Sequence, residues 1–527
     1  MVKPEHLVFA PIPAYGHIRP LCALACKIAI IRSDIIVSIF LAPHWLSQAQ
    51  SDVNTYFPDS ENTNERIRLI SLFEPNTEPT PLLSALQKTQ ESYKTAYSIL
   101  HQGKSIVCAA TGYEFPAVAP PTAVILDVFA LPQLESTRSI SGTAVPVFMF
   151  LSAGAAALIQ VFCPASMGGQ GELSVRIEEA ARLGMGEEEI EDKIFRHTDG
   201  TVLEIPGLPP MYDYEMFPQS VPLGVPIAHL HASAIDMLAA CDGVFVNTTP
   251  AYDGASLSAF RSWAKQNQNK RTYAIGPLLP PGYGTGNSMA GMADPKNTAV
   301  HSFLDAMASK HGVQSVLFIS FGSIFWPQAE EQLEELINVL LEKQFPFIIC
   351  YPSPSAHIPD QLLRSIETSG IGLAVRWAPQ QYILSHPATG WFLSHCGHGG
   401  VFEALGNGVP MICWPFGADQ PIAALHLSQS VGAAFHLLEI RTGKGLQPLY
   451  SRDHGGPGYA PKGTREAMRM EFQAIFDSCR GSEGEEKRRK ARTMQEELLK
   501  AWMPGGGSAV GAMSEFFRDY LDPISTE

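Results

Sequence analysis

The sequence lacks any C-x-x-C pair, although it contains nine cysteines spread from Cys22 to Cys479. A disulfide framework and a zinc ribbon both need closely spaced cysteines, so neither is predicted, and a reducing, cytoplasmic location fits. Cys22 and Cys26 could share one face of a helix, but small buried thiols are commoner than metal sites with two such ligands.

Positive charge is scarce. The chain has 37 lysines and arginines against 52 aspartates and glutamates, which gives a net charge of −15. This balance opposes extended electrostatic attachment to nucleic acid or to an anionic membrane face. The nearest approach to a basic run, residues 485–500, places opposite charges three and four residues apart, as on a solvated helix face. No nucleic-acid partner is therefore predicted.

A secretory signal peptide is not predicted, because Pro11 and Pro13 interrupt the first apolar run and no basic segment precedes it. One uncharged segment, residues 139–171, is long enough to span a bilayer. Gly154 and Gln160 make it only weakly apolar, so we expect a buried strand that runs into a helix. Stable membrane insertion is not expected.

Short β-rich runs alternate with helical stretches along the chain. HLVFAPI and DIIVSIFLAP flank the helical PLCALACKIAIIRS, which is the rhythm of a βαβ unit. A second series begins with SVLFISFGS, followed by the amphipathic QAEEQLEELINVLLEK and by FPFIICYP. The 527 residues exceed the size of one core. We therefore predict an α/β protein with two doubly wound, Rossmann-like domains.

Glycine and proline crowd together from residue 273 to 297, as in an interdomain linker. We place the N-terminal domain at residues 1–275, the linker at 276–298 and the C-terminal domain at 299–505. Residues 506–527 are expected to form a terminal helix that packs back towards the N-terminal domain.

A histidine follows the first predicted strand, at the sheet edge where α/β folds bind ligands. In PIPAYGHIRPLCALA, Gly16 permits a tight turn and His17 lies just ahead of a helix. Asp127 ends the apolar strand TAVILDVFA, where a buried carboxylate needs a partner. Together they could form a pair in which His17 removes a proton from a hydroxyl and Asp127 fixes its tautomer. A surface or helix-capping histidine is the alternative.

The stretch SHCGHGGV, residues 394–401, follows another strand and opens a helix. A zinc site would need a third protein ligand, which no neighbouring motif supplies. A cysteine nucleophile would lack an acyl-transfer signature around it. Free backbone N–H groups and the positive end of a helix dipole favour phosphate, so we predict an anion cradle.

The wider span, residues 377–420, reads WAPQQYILSHPATGWFLSHCGHGGVFEALGNGVPMICWPFGADQ. It closely resembles the nucleotide-sugar signature of the family 1 UDP-dependent glycosyltransferases, and His17 and Asp127 lie where that family keeps its catalytic pair. SFGS at 320–323 and AIGPLLP before the linker extend the resemblance. It implies a GT-B fold, in which two Rossmann-like domains face a central cleft. The segments 50–110 and 150–230 show little that matches.

The resemblance implies a set of residues that bind the donor. They are Gly16, Ser323, Trp377, Ala378, Gln380, His395, Gly397, His398, Gly399, Gly400, Glu403, Asp419 and Gln420. Trp377 would stack on uracil while the backbone of Ala378 reads the base edge. Gln380 and Glu403 would bind the ribose, and Asp419 and Gln420 the sugar hydroxyls. His395, Ser323 and the amides from Gly397 onwards would hold the diphosphate.

One triplet departs from the family pattern. Many members read Trp-Asn-Ser after His-Cys-Gly, whereas this chain reads His398-Gly399-Gly400. The change removes an amide and a hydroxyl side chain, so backbone amides must make more of the contacts. Two glycines also cost about 1 kcal/mol each in ordering if they lie in the helix rather than in the turn. We further hypothesise that His398 faces the diphosphate.

The resemblance thus implies an inverting glycosyltransferase that moves a hexose or pentose from UDP to a hydroxyl of an acceptor. The uncharged segment 139–171 and the aromatic residues of MYDYEMF, residues 211–217, offer apolar walls, so we expect the acceptor to be a small lipophilic metabolite. Glucose is the favoured sugar, and xylose stays open. His17 would be the general base, supported by Asp127. The UDP-sugar is a co-substrate, no cofactor or metal is expected, and the chain contains no D-x-D triplet. The alternatives are a metal-dependent hydrolase that uses His395 and His398, and a nucleotide-sugar-binding protein without catalysis.

Overall fold

The computed structural model describes residues 5–57, 63–75, 81–220, 226–284, 298–450 and 458–522. Its strands are β1 (Glu5–Ala10), β2 (Ile35–Leu41), β3 (Ile67–Ser71), β4 (Ile106–Val107), β5 (Glu114–Phe115), β6 (Ala123–Asp127), β7 (Val147–Leu151), β8 (Val202–Leu203), β9 (Met211–Tyr212), β10 (Gly243–Val246), β11 (Arg271–Ala274), β12 (Val316–Ser320), β13 (Phe347–Cys350), β14 (Gly372–Val375), β15 (Thr389–Ser394), β16 (Met411–Cys413) and β17 (Ala434–His436).

Helices connect almost all consecutive strands. They are α1 (Tyr15–Ile31), α2 (Leu46–Asn54), α3 (Thr63–Arg66), α4 (Leu82–His101), α5 (Leu131–Ser141), α6 (Ala155–Phe162), α7 (Leu173–Arg182), α8 (Glu187–Ile190), α9 (Ile227–Ala240), α10 (Pro250–Gln268), α11 (Thr298–His311), α12 (Glu330–Glu342), α13 (Asp360–Ser369), α14 (Gln380–Ser385), α15 (His398–Gly406), α16 (Gln420–Leu425), α17 (Arg465–Cys479), α18 (Ser482–Lys500) and α19 (Ser508–Tyr520).

The first sheet has the order β11-β10-β7-β6-β1-β2-β3, and its strand pairs are parallel. Alternate residues of β1 enter different cores: Val8 packs on one face, and Leu7 and Phe9 pack on the other. A sheet buried on both faces explains why its strands read as continuous apolar runs. The chain winds from β1 outward to β3 and then restarts at β6. Strands β1 and β6 therefore form the topological switch point, where α/β folds bind ligands.

The second sheet has the order β14-β13-β12-β15-β16-β17 and is also parallel. Phe318 of β12 packs in one core, while Leu317 and Ile319 pack in the other. The switch point here lies between β12 and β15. We call the part built on the first sheet the N half and the part built on the second the C half. The predicted α/β fold of two Rossmann-like units is thus confirmed.

The terminal helix α19 follows the C half in sequence but packs on the first sheet. Its Phe516 is fully buried, with ring centroids 5.2 Å from Phe148 and 5.0 Å from Phe245. Met513 and Phe517 belong to the same apolar core. The last helix therefore completes one face of the N half.

Several edge strands are missed by the sequence patterns. These are β3 and β11, each of which contains an arginine, and the three-residue β17. Strand β11 also occupies residues 273 and 274, where the glycine- and proline-rich stretch begins. The domain boundaries stay predictions, and most of the linker, residues 285–297, lies outside the described part of the chain.

The uncharged segment 139–171 folds as expected, into strand β7 and helix α6. Both elements are almost wholly buried in the N half. Across the described ranges, no helix combines the length and the apolar character that crossing a bilayer requires.

Phe516→Ala should destabilise the N half strongly, because it removes a fully buried ring from an aromatic core. The expected cost is about 3–5 kcal/mol, measured as a lower urea midpoint in equilibrium unfolding. Glu515→Ala, an exposed neighbour on the same helix, is the matched control and should change the midpoint little. Equal midpoints for the two variants would contradict the packing of α19 on the sheet.

Candidate active site

The first switch point brings together the two residues singled out as a base and its orienter. His17 lies in the first turn of α1, directly after β1, and Asp127 ends β6. His17 Nδ1 donates to Asp127 Oδ2 at 2.7 Å. The other carboxylate oxygen accepts from the backbone N–H of Phe129 at 3.1 Å. Because Nδ1 carries the proton, Nε2 is left with its lone pair.

Opposing effects act on the pKa of His17. Burial lowers it, but the charge and hydrogen bond of Asp127, with a further contribution from Asp419, raise it above its usual value of 6.5. Asp127 itself is fully buried. The imidazole is thus held as a stronger base than an isolated histidine.

Gly16 does not form the tight turn that the sequence predicted. It lies inside the first turn of α1, and a Cβ atom at this position would meet nothing within 4 Å. Helical backbone is open to any residue, so the prediction was wrong about the geometry that glycine supplies here. Its carbonyl accepts from the Ser152 hydroxyl at 3.2 Å.

The second switch point carries the glycine-rich stretch. Strand β15 ends at Ser394, and helix α15 begins at His398, so Gly399 and Gly400 lie in the helix rather than in the turn. The first intrahelical bond is donated by Val401 N. The amides of the first turn therefore have no acceptor within the helix, and they lie at the positive end of its dipole.

The imidazole of His395 fits between two glycines. A Cβ atom at Gly322 or at Gly397 would overlap this ring, and Gly322 has φ +75°. Burial lowers the pKa of His395 to about 4, against the effect of the Ser320 backbone. His395 is therefore neutral at physiological pH and has a single ring N–H. Ser323 lies one residue after Gly322, in the loop that follows β12.

The residues expected to bind the nucleoside lie beside this cradle. Gln380 opens helix α14, and its amide donates to Oε2 of Glu403, which is buried in α15. Trp377 precedes α14 with 48% of its surface exposed, whereas Ala378 is buried. A flat exposed indole next to a buried carboxylate is suited to a base and its ribose.

Asp419 and Gln420 lie at the start of α16. Burial raises the pKa of Asp419 to about 6, while its own backbone and His17 oppose this shift. The carboxylate thus interacts with His17 across the cleft. Gln420 Oε1 accepts from the backbone N–H of Phe416 at 2.9 Å, which leaves its NH₂ group as a donor.

The imidazole of His398 does not face the cradle as hypothesised. It is buried, and Nε2 donates to the carbonyl of Asn247 in the N half at 2.5 Å. Its ring also packs on Phe402, with centroids 4.4 Å apart. A carbonyl can only accept, so this contact fixes the tautomer of His398. The backbone N–H remains its one means of reaching a phosphate from the first turn.

Sequence reasoning missed Arg19, whose guanidinium forms an ion pair with Glu403 Oε1 across the cleft. A signal was present: Arg19 is the one charged residue, histidines aside, between Glu5 and Lys27, and the other residues of α1 from Ile18 to Cys26 are apolar and buried. A charge in such a helix needs a partner from elsewhere in the fold.

Two further observations concern the alternatives to a phosphate cradle, which are a cysteine nucleophile and a metal site. Burial raises the pKa of the Cys396 thiol well above its usual value, so the thiolate is disfavoured. Within the ranges that the structure describes, no group of three or more histidine, cysteine, aspartate or glutamate side chains is arranged to hold a metal ion.

Comparison with known proteins agrees with this geometry. Residues 246–447 match the model of the UDP-glucoronosyl and UDP-glucosyl transferase family. The UDP-glycosyltransferase eriJ of Hericium erinaceus is 30% identical, over 97% of this chain and 99% of that protein. The UDP-glucose flavonoid 3-O-glucosyltransferase 6 of Fragaria ananassa is 23% identical over the full length of both chains.

Solved structures have the same fold. Phytolacca americana UGT2, complexed with UDP-2fluoro-glucose and pterostilbene, has a TM-score of 0.67 and 21% identity, covering 98% of this chain and 100% of that one. Medicago truncatula UGT71G1, complexed with UDP-glucose, has a TM-score of 0.66 and 22% identity, covering 98% of each chain. The protein is thus a glycosyltransferase of GT-B fold that belongs to the family 1 UDP-dependent glycosyltransferases.

Proposed function

We propose that the protein is an inverting glycosyltransferase that transfers a sugar from UDP to a hydroxyl of a small lipophilic molecule. The observation that carries this proposal is the His17–Asp127 pair, with its 2.7 Å hydrogen bond, at the first switch point. In this proposal, the cradle at the second switch point stabilises the diphosphate that leaves.

In the proposed reaction, His17 Nε2 takes the proton of the acceptor hydroxyl. The acceptor oxygen attacks the anomeric carbon from the face opposite UDP, a new C–O bond forms, and the bond to the diphosphate oxygen breaks with its electron pair leaving on UDP. Asp127 holds Nδ1–H and stabilises the imidazolium. The electrostatic contact between Asp419 and His17 supports the same cation.

The leaving diphosphate gains negative charge as the bond breaks. We assign its stabilisation to the free amides of the first turn of α15, to the dipole of this helix and to the neutral imidazole of His395. All of these groups belong to the protein, so the proposed cradle requires no divalent metal.

We assign donor recognition to residues of the C half. Trp377 stacks on uracil, Ala378 reads the base edge through its backbone, and Glu403 with Gln380 binds the ribose. Asp419 and the free NH₂ group of Gln420 bind sugar hydroxyls. Glucose is the favoured sugar, in line with the UDP-glucose named for the Fragaria enzyme and for the Medicago complex. Xylose is the second candidate.

A lipophilic acceptor is supported by an apolar cluster beside the base. Ile12, Ala14 and Leu86 form it together with Leu82 and Phe129. The ring of Phe129 lies 6.0 Å from that of His17. An apolar wall next to the base binds the body of an acceptor and leaves its hydroxyl to His17. We also place the protein in the cytoplasm, because its nine cysteines are all unpaired.

UDP should bind saturably in calorimetric titration with excess EDTA, since the cradle consists of protein groups. Uridine, which lacks the diphosphate, should bind about a hundredfold more weakly, the equivalent of two charge-assisted hydrogen bonds of about 1.5 kcal/mol each. Absence of UDP binding in EDTA, with binding restored by a divalent metal, would refute the metal-independent cradle.

His17→Ala should lower the rate of sugar transfer by about 10²–10⁴-fold, because it removes the general base. UDP affinity should be unchanged, since the proposed donor contacts lie in the C half. His357→Ala, an exposed histidine of the C half, serves as the control for loss of an imidazole. Wild-type transfer rates in His17→Ala would remove His17 from the mechanism.

The pH profile should report His17. The base works as neutral imidazole, so kcat/KM should fall as pH drops through a pKa above 6.5. Asp127→Asn removes the main group that raises this pKa, so the acidic limb should move to lower pH while the plateau rate falls. Asp305→Asn, an exposed carboxylate of the C half, should leave the limb in place. An unmoved limb in Asp127→Asn would contradict the pairing.

A further inference from the structure

Arg19 lies between the two catalytic halves. It belongs to helix α1, two residues after His17, yet its strongest contact is the ion pair with Glu403 of helix α15. The side chain of Glu403 is 4% exposed and that of Arg19 is 21% exposed. The ion pair is therefore largely removed from water.

Partners from both halves hold Arg19 in this position. In the N half, its guanidinium lies over the ring of Tyr15 at 5.9 Å, and the Tyr15 hydroxyl donates to both oxygens of Asp52 at 3.0 and 3.1 Å. In the C half, the partner is Glu403. Burial opposes the charge on Arg19, but Glu403, Tyr15 and Asp52 outweigh it and raise the pKa of Arg19.

Glu403 has capacity left for a ligand. A carboxylate has about four acceptor positions on its two oxygens. Gln380 donates to Oε2 and Arg19 to Oε1, so each oxygen retains room for another donor. A diol with adjacent hydroxyls matches two such oxygens.

We infer that Arg19 is a positioning residue for the donor ribose: from the N half, it holds the carboxylate of Glu403 so that both oxygens accept from ribose hydroxyls. This inference rests on the proposed function, in which Glu403 binds the ribose. The same ion pair also connects helix α1, which contains His17, to the proposed donor site. The base and the donor are then aligned by one ion pair across the cleft.

A purely structural ion pair would have a different signature. Its loss would weaken the binding of every nucleotide equally or lower the stability of the protein. Loss of a ribose-positioning residue instead reduces the discrimination between nucleotides that differ in one ribose hydroxyl. The informative quantity is therefore the ratio of the dissociation constants of 2′-deoxy-UDP and UDP.

The experiment is calorimetric titration of the full chain with UDP and 2′-deoxy-UDP in EDTA. The wild type should favour UDP by about ten- to a hundredfold, the range for one hydrogen bond to a charged group. Arg19→Gln should bring this ratio close to one. Arg19→Lys keeps the charge but loses the planar arrangement of guanidinium donors, so it should retain part of the preference for UDP. Arg138→Gln, an ion-paired arginine of similar exposure within the N half, should leave the ratio unchanged.

A double-mutant cycle separates direct from indirect effects. Glu403→Gln alone should also abolish the preference for UDP, and adding Arg19→Gln should then change the ratio no further. A ratio of dissociation constants in Arg19→Gln that equals the wild-type ratio would overturn the inference. It would leave the proposed function intact. A wild type that binds no UDP would overturn the proposed function itself. If Arg19→Gln does not fold, Arg19→Lys and Glu403→Gln decide the question.

Discussion

A carboxylate that is removed from water must be bonded to donors, and this constraint at Asp127 organises the active site. Asp127 is fully buried where β6 ends, and it is bonded to the backbone N–H of Phe129 and to the imidazole of His17. The Phe129 bond orients the carboxylate, and the bond from Nδ1 fixes the tautomer of His17 and leaves Nε2 as the acceptor. Against the effect of burial, the same carboxylate raises the pKa of the base. Orientation and basicity thus come from one contact.

The N half and the C half place their polar side chains by the same sheet topology. Each parallel sheet has one switch point, and the functional side chains follow the strands that meet there. In the N half the switch point carries His17, whose protonated form Asp127 stabilises against the effect of burial. In the C half it carries unpaired helix amides and a neutral histidine, which suit an anion. In the proposed mechanism, the two edges face each other across one cleft, so that proton acceptance lies opposite leaving-group stabilisation.

Contacts across the cleft use groups that cannot be left unpaired. Arg19 and Glu403 are both charged and mostly buried, so each requires the other. His398 and His426 of the C half bond the backbone carbonyls of Asn247 and Tyr252 in the N half. These contacts set the relative position of the halves with directional bonds, whereas apolar packing alone would tolerate sliding. The donor site and the base are therefore held in register by residues outside the reacting groups.

The sequence by itself determined the fold class and most of the donor side. Strands buried on both faces leave uninterrupted apolar runs, and the proposed donor residues other than Gly16 and Ser323 lie within one span, residues 377–420, whose local strand–turn–helix geometry fixes their spacing. The sequence patterns missed β11 because this half-exposed strand tolerates an arginine, and they missed β3 because the buried Arg68, which donates to the carbonyls of Glu65 and Pro116, interrupts its apolar run. Only the tertiary structure decided that His17 meets Asp127, that His398 turns to Asn247 and that Arg19 pairs with Glu403. Local pattern encodes whether a side chain is buried, but the partner of a buried polar group depends on which distant segments the topology makes adjacent.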